Sequence, residues 1–368
     1  MNSTSEHRRP GLRPARLRLM VGLVVSGVFL YFTALGLDLG GFLTYLRGAD
    51  YIWIVPGVLV YFLAVGARTW RWHYMLRHIA PVPLGPLFRL VCIGYFGNNV
   101  FPARAGEVLR SYELRRSRGI SMSSSMATVV IERTFDGLVM LLFVFVALPF
   151  VPLESDALAR YHGFIVAFTL LFVGALLAFL AMAARPTTAR ALYAPLVRRV
   201  VPARFRDPVL GLADRFMLGF ESLSRGRDVF MIFGTSVLVW LFETAKYWFV
   251  MHAFPFEVGF MTLILMNGVV NLATTLPAAP GYAGTFDLPG IRVLMAAGVD
   301  QAIATAYTLV LHVALWLPIT LLGGAYLWRS HIDWRRLAVE GSGASPNPAG
   351  SAALPGSGAP GDPPAPHR

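Results

Sequence analysis

Long apolar stretches recur along most of this sequence, and they constrain the fold more than any other feature. Several approach the roughly 20 residues that a helix needs to cross a bilayer, among them the stretches at 17–37, 52–67, 126–150, 162–184, 229–254 and 302–328. Only 14% of the 368 residues are charged, whereas soluble domains contain about 25%. We therefore predict an all-α fold, a polytopic membrane helix bundle with about seven to nine spans.

Polar sequence is concentrated at the two ends, and it predicts the domain organisation. Residues 1–16 form a basic tail, residues 17–330 hold the apolar stretches, and residues 331–368 are rich in Pro, Gly, Ala and Ser. Because the last segment has almost nothing to bury, we expect it to be disordered. The chain is thus predicted to be one membrane domain between two tails.

The positive charge of the chain lies mainly in its arginines. The formal net charge is +12, which in a soluble protein would favour nucleic-acid binding. Here the arginines occupy loops between apolar stretches, where positive charge marks the cytoplasmic side and attracts anionic headgroups. We expect a multi-pass protein of the inner cell membrane, with cytoplasmic termini, a basic cytoplasmic surface segment at 185–228 and no nucleic-acid partner.

Signals for metal binding or known enzyme classes are sparse. Cys92 is the only cysteine, which excludes an internal disulfide and a thiolate metal cage. The eight histidines are scattered, and the sequence lacks a P-loop, a dinucleotide fingerprint and a Gly-x-Ser-x-Gly motif. We therefore assign no metal ligand, no cofactor and no catalytic residue.

Two apolar stretches are interrupted by proline, glycine and polar residues, in YFGNNVFPARAG and in NLATTLPAAPGYAGTFD. A broken helix leaves backbone N–H and C=O groups unpaired, which is costly in hydrocarbon unless protein, water or a ligand satisfies them. We predict two re-entrant or broken helical segments that line a polar cavity, in halves related as repeats. The alternative is that these residues only kink helices and permit close packing. The loop-forming residues are Pro102, Gly106, Pro277, Pro280, Gly281 and Gly284.

Ionisable residues also lie inside the apolar stretches. Glu132 and Asp136 are four residues apart on one helical face, and Arg133 precedes Asp136 by three. Such groups are costly in a bilayer and usually face a partner or a wet cavity. Glu243 and Lys246, three residues apart, could pair along their own helix. For both sets, a binding role and a purely structural ion pair stay open.

Three further features have simpler interpretations. The segment RTWRWHYMLRH, residues 68–78, interleaves arginine with aromatic residues, so we expect an anchor at headgroup level with Trp70 and Trp72 in the aromatic belt. His312 is expected to be a packed, hydrogen-bonded histidine. Asn267 and Asn271, four residues apart, could line the cavity or join helices.

The stretch GNNVFPARAGEVLRSYELRRSRGISMSSSMATVVIERTFDGLVML resembles the first signature of the lysylphosphatidylglycerol synthase transmembrane family, the flippase-like region of the multiple peptide resistance factor. TLPAAPGYAGTFD resembles its second signature, with Asp287 where glutamate is usual and Tyr282 where a small residue is common. The resemblance covers most of 17–330 and implies a flippase-like domain without the soluble aminoacyl-transferring domain. It implies a functional set of Asn98, Pro102, Arg104, Gly106, Glu107, Arg110, Glu132, Arg133, Asp136, Pro277, Pro280, Gly281, Gly284 and Asp287.

From these observations we expect a membrane protein that binds a phospholipid or another lipid phosphate and moves it between leaflets. The substrate would be an aminoacyl-phosphatidylglycerol or a polyprenyl-linked or glycolipid-like molecule. The expected substrate-binding residues are Asn98, Asn99, Arg104, Glu107, Arg110, Glu132, Arg133, Asp136, Glu243, Lys246, Asn271 and Asp287.

Two alternatives and several partners belong to the same expectation. The protein could be a membrane transferase that acts on a lipid-linked donor, with Glu107 or Asp136 as general base. It could also be a non-catalytic membrane partner of a separate lipid synthase or glycosyltransferase. The expected partners are lipids with anionic headgroups, such a separate enzyme, and further copies of the chain in a homo-oligomer.

Overall fold

The structure of the protein, a computed structural model, describes residues 12–101, 104–151, 156–184, 226–276 and 278–330, with a few separate positions between 190 and 211. All regular elements within these residues are helices, which confirms the all-α prediction. The expected tail at 331–368 lies outside the described residues, as do Pro102, Pro277, residues 1–11 and most of the segment 185–228.

The longer helices follow one another in a simple order. They are α1 (Leu12–Ala34), α2 (Leu39–Gly48), α3 (Ile54–Leu76), α4 (Leu84–Val100), α5 (Ala105–Arg118), α6 (Met122–Ala147), α7 (Asp156–Ala184), α8 (Gly226–Met251), α9 (Phe260–Ala273), α10 (Asp287–Ala296) and α11 (Gln301–Arg329).

Local sequence explains where several helices begin and end. Asp38, Ser121 and Asp300 precede α2, α6 and α11, and each side chain accepts a hydrogen bond from a backbone N–H of the first turn. These caps satisfy donors that a helix start leaves open. Gly119 ends α5 with φ 71°, a left-handed conformation in which glycine has no Cβ to clash.

Two groups of four helices, α3–α6 and α8–α11, pack on each other in a pattern that survives their exchange. α4 packs against α11, and its counterpart α9 packs against α6. In the same way α6 contacts α8, and α11 contacts α3. α3 and α8, the first helices of the two groups, contact each other. This is the arrangement of two repeat-related halves.

The central pair of α3 and α8 runs antiparallel. Toward one end Gly57 of α3 packs against Val250 of α8, and toward the other end Arg71 donates to Ser236 over 2.6 Å. An operation that maps a helix onto an antiparallel partner turns the whole unit over along the helix axis. The two four-helix units are therefore inverted relative to each other, as in many transporters.

Each unit contains a helical hairpin whose arms are shorter than the roughly 20 residues of a full span. In the first hairpin α4 has 17 residues and α5 has 14, and in the second α9 has 14 and α10 has 10. Gly94 and Gly97 of α4 face Arg110 and Gly106 of α5 in reverse order, so the arms are antiparallel. The prediction of two re-entrant or broken segments is confirmed.

The apolar core has two main clusters. One surrounds Trp72, Leu87 and Phe135 and is formed mainly by α3–α8. The other surrounds Tyr247 and Tyr307 and is formed mainly by α8–α11. Burying these large side chains outside contact with lipid or water stabilises the packing of the two units on each other.

The number of spans depends on how the broken elements are counted. Of the described helices, three are long and apolar enough to cross a membrane: α8, α11, and α3 with the preceding turn Tyr51–Trp53. The pair α1 and α2, bent by 93°, adds a fourth if it is one broken span. α6 has 26 residues but carries Glu132, Arg133 and Asp136. The count of seven to nine spans stays a prediction.

Two boundaries differ from those expected from the sequence. α1 begins at Leu12, inside the expected tail at 1–16, and the chain bends sharply after it because Gly36 adopts φ 73° and Asp38 caps a new helix. α8 begins at Gly226, so the end of the expected surface segment 185–228 is helical. Asp228 is buried there and accepts hydrogen bonds from Tyr74 and Arg77 of the α3 end, over 2.6 and 2.7 Å.

Candidate functional site

The breaks in the two hairpins meet at a cavity of about 180 Å³. Arg104, at the first break, donates from Nη2 to the carbonyl oxygen of Thr274, at the second, over 3.0 Å. Residues of α3, α4, α5, α6, α8, α9 and α11 line the cavity. The sequence-predicted residues on its wall are Asn98, Asn99, Arg104, Gly106, Glu107, Arg110, Glu132, Arg133, Glu243, Asn271 and Gly281.

Other sequence-predicted residues lie behind this wall. Asp136 accepts hydrogen bonds from Arg71 over 2.7 Å and from Trp240 Nε1 over 3.0 Å. Lys246 is buried and pairs with Glu243. These side chains support the residues that line the cavity, and the same holds for the remaining members of the set, Pro280, Gly284 and Asp287.

The first break is held by a side-chain cap and a close backbone approach. Asn98 Oδ1 accepts a hydrogen bond from the backbone N–H of Gly106 over 3.0 Å. A Cβ on Gly106 would overlap the carbonyl oxygen of Gly94, so glycine is required where the arms meet. Arg104 has φ 54° and ψ 40°, a left-handed conformation that costs a non-glycine residue about 1–3 kcal/mol. Gly106 thus serves both turn formation and close packing.

The second break is held by a histidine between two acceptors. His312 Nδ1 lies 2.8 Å from Asp287 Oδ1, and His312 Nε2 lies 2.7 Å from the carbonyl oxygen of Gly281. Asp287 Oδ2 accepts a hydrogen bond from the N–H of Gly284 over 2.8 Å. Gly281, Tyr282 and Gly284 have positive φ angles of 77°, 60° and 80°. His312 is hydrogen-bonded, as expected, and it also lines the cavity.

The helix α1 packs behind the second break, outside the cavity wall. Ser26 Oγ accepts a hydrogen bond from the backbone N–H of Ala279 over 2.8 Å. Gly22 and Gly284 allow the close approach, because a Cβ on either would lie under 3.0 Å from a backbone carbonyl oxygen across the interface. The interrupted backbone therefore finds partners in the protein on this side.

Glu132 lies at the centre of a buried ion cluster. Its carboxylate faces nitrogen atoms of Arg110 at 2.7 Å, Arg133 at 2.8 Å and Arg71 at 3.1 Å. Because Arg71 belongs to α3 and Arg110 to α5, this single carboxylate on α6 connects three helices. Burying a charge is costly unless it is paired and hydrogen-bonded, and these arginines provide that pairing.

Asp136 and Glu243 extend the cluster to α8. Arg68 lies between them, with nitrogen atoms 3.4 Å from Asp136 and 3.6 Å from Glu243. Lys246 pairs with Glu243 one turn along the same helix. The ion cluster thus has five cations and four carboxylates, which are Arg68, Arg71, Arg110, Arg133, Lys246, Glu107, Glu132, Asp136 and Glu243.

Two members of the ion cluster keep an accessible surface. The side chain of Arg133 is 35% exposed and that of Glu107 is 17% exposed, whereas Arg71 and Glu132 are almost completely buried. Arg133 Nε and Glu107 Oε1 are 3.5 Å apart and form no hydrogen bond. The structural ion-pair interpretation therefore fits Glu132 and Asp136, while Arg133 and Glu107 remain open to a ligand.

Sequence reasoning missed Arg68 and Arg71. The expectation of an interfacial anchor at 68–78 is wrong for these residues and for Trp72, because all three are buried and both arginines face carboxylates of α6 or α8. Trp70 is partly exposed. The available signal was spacing: Tyr61, Ala64, Arg68 and Arg71 follow at intervals of three and four residues, as on one face of a continuing helix.

Aromatic side chains, also missed from the sequence, complete the wall. Arg68 lies over the ring of Trp240 at 4.5 Å, and Lys246 lies over the ring of Tyr61 at 4.5 Å. Such cation–π contacts partly offset the desolvation of buried cations. Tyr95 and Trp316 also line the cavity.

The asparagines divide between cavity and helix contacts. Asn99 lines the cavity and donates to Thr320 Oγ1 over 2.7 Å. Asn271 lines it and donates to Asn267 Oδ1 over 2.7 Å. Asn267 is fully buried and donates to Thr244 Oγ1 over 2.9 Å, so it joins α9 to α8.

The chemistry of this wall suits an anion better than a metal ion. In the part of the chain that the structure describes, no group of His, Cys, Asp and Glu is arranged to hold a metal. Arginine forks on the wall offer planar, bidentate donors that match phosphate or carboxylate. The start of α5 lies on the wall as well, and the positive end of its dipole favours negative charge.

Comparison with known proteins agrees with these observations. The family model of the lysylphosphatidylglycerol synthase TM region matches residues 19–323. The chain is 26% identical to the glycosyltransferase AglD of Haloferax volcanii over 84% of this chain and 54% of that protein. It is 25% identical to a UPF0104 membrane protein of Methanothermobacter thermautotrophicus over 76% of this chain and 83% of the relative. A UPF0104 membrane protein of Pyrococcus horikoshii is 24% identical over 80% of this chain and 90% of its own length.

The chain thus spans about half the length of the glycosyltransferase and most of the length of the two UPF0104 proteins. The matched region runs from α1 into α11 and includes both breaks and the whole ion cluster. Together with the apolar helices it confirms the expected resemblance. This is a multi-pass membrane protein, and it belongs to the family of the lysylphosphatidylglycerol synthase transmembrane region.

Proposed function

We propose that the protein binds the headgroup of a lipid phosphate in the cavity between the two breaks and moves it between leaflets. One observation carries the proposal: a cavity with the accessible cation Arg133 lies where two broken hairpins meet inside a membrane bundle. Ionisable residues within a membrane domain typically mark a substrate pathway. The lipid tails would stay in hydrocarbon while the headgroup crosses through the polar cavity.

Inverted repeats support movement rather than binding alone. In transporters with such repeats, discontinuous helices form the binding site, and rocking of one unit against the other exposes it alternately to the two sides. Here both interrupted hairpins contribute to one cavity, and Arg104 bridges them through the carbonyl oxygen of Thr274. A relative movement of the units would break or remake that bridge.

The substrate and the partners belong to the same proposal. The lipid would be an aminoacyl-phosphatidylglycerol or a polyprenyl-linked lipid, supplied by a separate synthase or glycosyltransferase. The name of the haloarchaeal relative, a glycosyltransferase, supports a role beside lipid-linked sugars. We place the protein in the inner membrane with both termini in the cytoplasm, because arginines flank the first and last apolar stretches.

Reconstitution in liposomes tests lipid movement directly. Purified protein is inserted into vesicles that carry fluorescent phosphatidylglycerol, lysyl-phosphatidylglycerol or polyprenyl phosphate in both leaflets. A quencher that cannot cross the bilayer then removes the outer-leaflet signal. If the protein translocates a lipid, the protected fraction of that lipid falls below its value in protein-free vesicles.

Two matched variants connect movement to the cavity. Arg133→Gln removes the accessible cation, and a lost charged hydrogen bond should slow movement about tenfold or more. Arg77→Gln makes the same replacement in an ion pair outside the cavity, 2.7 Å from Asp228, and should move lipid at the wild-type rate. Equal rates for Arg133→Gln and the wild type would refute the proposed site.

The same vesicles separate the two alternatives. A new lipid product on addition of a donor would indicate a transferase, with Glu107 or Asp136 as the first candidates for general base. Unchanged lipid distribution with every probe, together with capture of a lipid synthase, would indicate an anchoring partner. Deletion of 185–228 should abolish that capture if the basic segment forms the anchor.

A further inference from the structure

We infer that the cavity selects a lipid whose headgroup is an anionic phosphate without an amine, and that it disfavours an aminoacylated lipid. The inference rests on the proposed function, because it names the substrate class of the same site. It departs from the lysylated lipid that the family name suggests.

Hydrogen-bond donors outnumber acceptors among the unpaired buried atoms of the cavity wall. In the described part of the chain, four nitrogen atoms on wall residues lack a hydrogen-bond partner: Nε of Arg68, Arg110 and Arg133, and Nε1 of Trp316. Among buried side-chain oxygens of the described wall residues, Glu107 Oε1 alone lacks one. A phosphate adds acceptors to this wall, whereas an ammonium group adds three more donors.

The carboxylates that an amine would need are already engaged. Glu132 has nitrogen atoms of three arginines within 3.1 Å, and Glu243 lies between Arg68 and Lys246. Withdrawing either carboxylate toward a ligand amine would leave buried cations without their counter-charge, which is strongly unfavourable. Glu107 is the one wall carboxylate with an unpaired oxygen.

Arg104 and Arg133 provide the positive charge for a phosphate. Arg104 donates to the backbone of Thr274, and no ion pair links it to a carboxylate of the described residues. Arg133 keeps a 35% exposed side chain although three carboxylates surround it. Both side chains carry planar donor forks that suit phosphate. The accessible charge of the wall is therefore positive, with Glu107 as its counterweight.

Equilibrium binding in detergent tests this selectivity without requiring lipid movement. The full-length protein is titrated with short-chain phosphatidic acid, phosphatidylglycerol, lysyl-phosphatidylglycerol and phosphatidylcholine, and with inorganic phosphate. The readout is tryptophan fluorescence, because Trp240 and Trp316 line the cavity. The two anionic lipids should bind at least about tenfold more tightly than the lysylated and zwitterionic lipids, the effect of one charged hydrogen bond.

Two results would overturn the inference. Binding of lysyl-phosphatidylglycerol as tight as that of phosphatidylglycerol would show that the cavity accepts an amine. Inorganic phosphate bound as tightly as phosphatidic acid would show a site for a free anion, with no contribution from a lipid.

Variants in the same titration assign the subsites. Arg133→Gln should weaken phosphatidic acid binding about tenfold or more, while Glu107→Gln should leave it unchanged or tighter and Arg77→Gln should leave it unchanged. If Glu107→Gln instead abolishes tight binding of the lysylated lipid, Glu107 is an amine subsite and the inference is wrong. Far-UV circular dichroism verifies that each variant is folded.

The two proposals fail in different ways. Selective binding of anionic lipid without any movement in liposomes would refute translocation and leave the inference standing. Movement of lysylated and anionic lipids at equal rates, together with equal affinities, would refute the inference and leave translocation standing.

Discussion

Replacing Glu132 by glutamine tests how strongly the ion cluster holds the bundle together. The substitution preserves side-chain volume but removes the charge that Arg110, Arg133 and Arg71 face at 2.7, 2.8 and 3.1 Å. Arg110 is buried, and Glu132 is its one carboxylate partner among the described residues. Because loss of one partner from a buried ion pair costs about 3–5 kcal/mol, we expect the free energy of unfolding to fall by that amount.

Titration with a denaturing detergent in mixed micelles, followed by far-UV circular dichroism, measures the loss. A second substitution that removes the stranded cation, Glu132→Gln with Arg110→Met, should recover at least ~1 kcal/mol of it. Glu113→Gln is the matched control: burial raises the pKa of Glu113, its partner Arg116 is largely exposed, and the change should stay below about 1 kcal/mol. The reasoning is refuted if Glu132→Gln is as stable as this control.

Three further substitutions test other parts of the structure. Gly106→Ala forces a methyl group onto the carbonyl oxygen of Gly94, so the same detergent titration should show a loss of about 1–3 kcal/mol; unchanged stability would contradict the close approach. Arg104→Gly relieves a left-handed conformation and should raise stability by about 1 kcal/mol, yet weaken phosphatidic acid binding in the fluorescence titration. Asp228→Asn removes the counter-charge of Arg77 and should lower the midpoint of unfolding while lipid movement in vesicles stays at the wild-type rate.

The sequence was sufficient for the fold class and for both breaks, because these depend on local signals. Apolar stretches near membrane length predict helices, and a proline and glycine cluster predicts an interruption wherever it falls in such a stretch. The bend between α1 and α2 was not recognised, although Gly36 and Asp38 mark it. Those two residues are common in loops of every kind, so they do not reveal a sharp change in direction.

Partners across helices were beyond local reasoning. Arg71 pairs with Asp136, 65 residues further along the chain, and nothing in the segment 68–78 distinguishes an arginine that meets lipid headgroups from one that meets a buried carboxylate. The pairing follows from the packing of α3 against α6 and α8. Glu132, Arg133 and Asp136 were recognisable as candidates because charge inside an apolar stretch needs a partner, but the identity of that partner is a property of the tertiary structure.

The head-to-tail contact of α3 with α8 means that flipping the molecule end over end presents a closely similar scaffold to the opposite surface. An occupant leaving toward either surface would then pass helix ends of the same kind. The choice of exit depends on which hairpin yields first, and α1 favours one answer, because its Ser26 fastens the loop at Ala279. A single chain of this design serves two opposite directions with one geometry and sets the preference between them through a single peripheral helix.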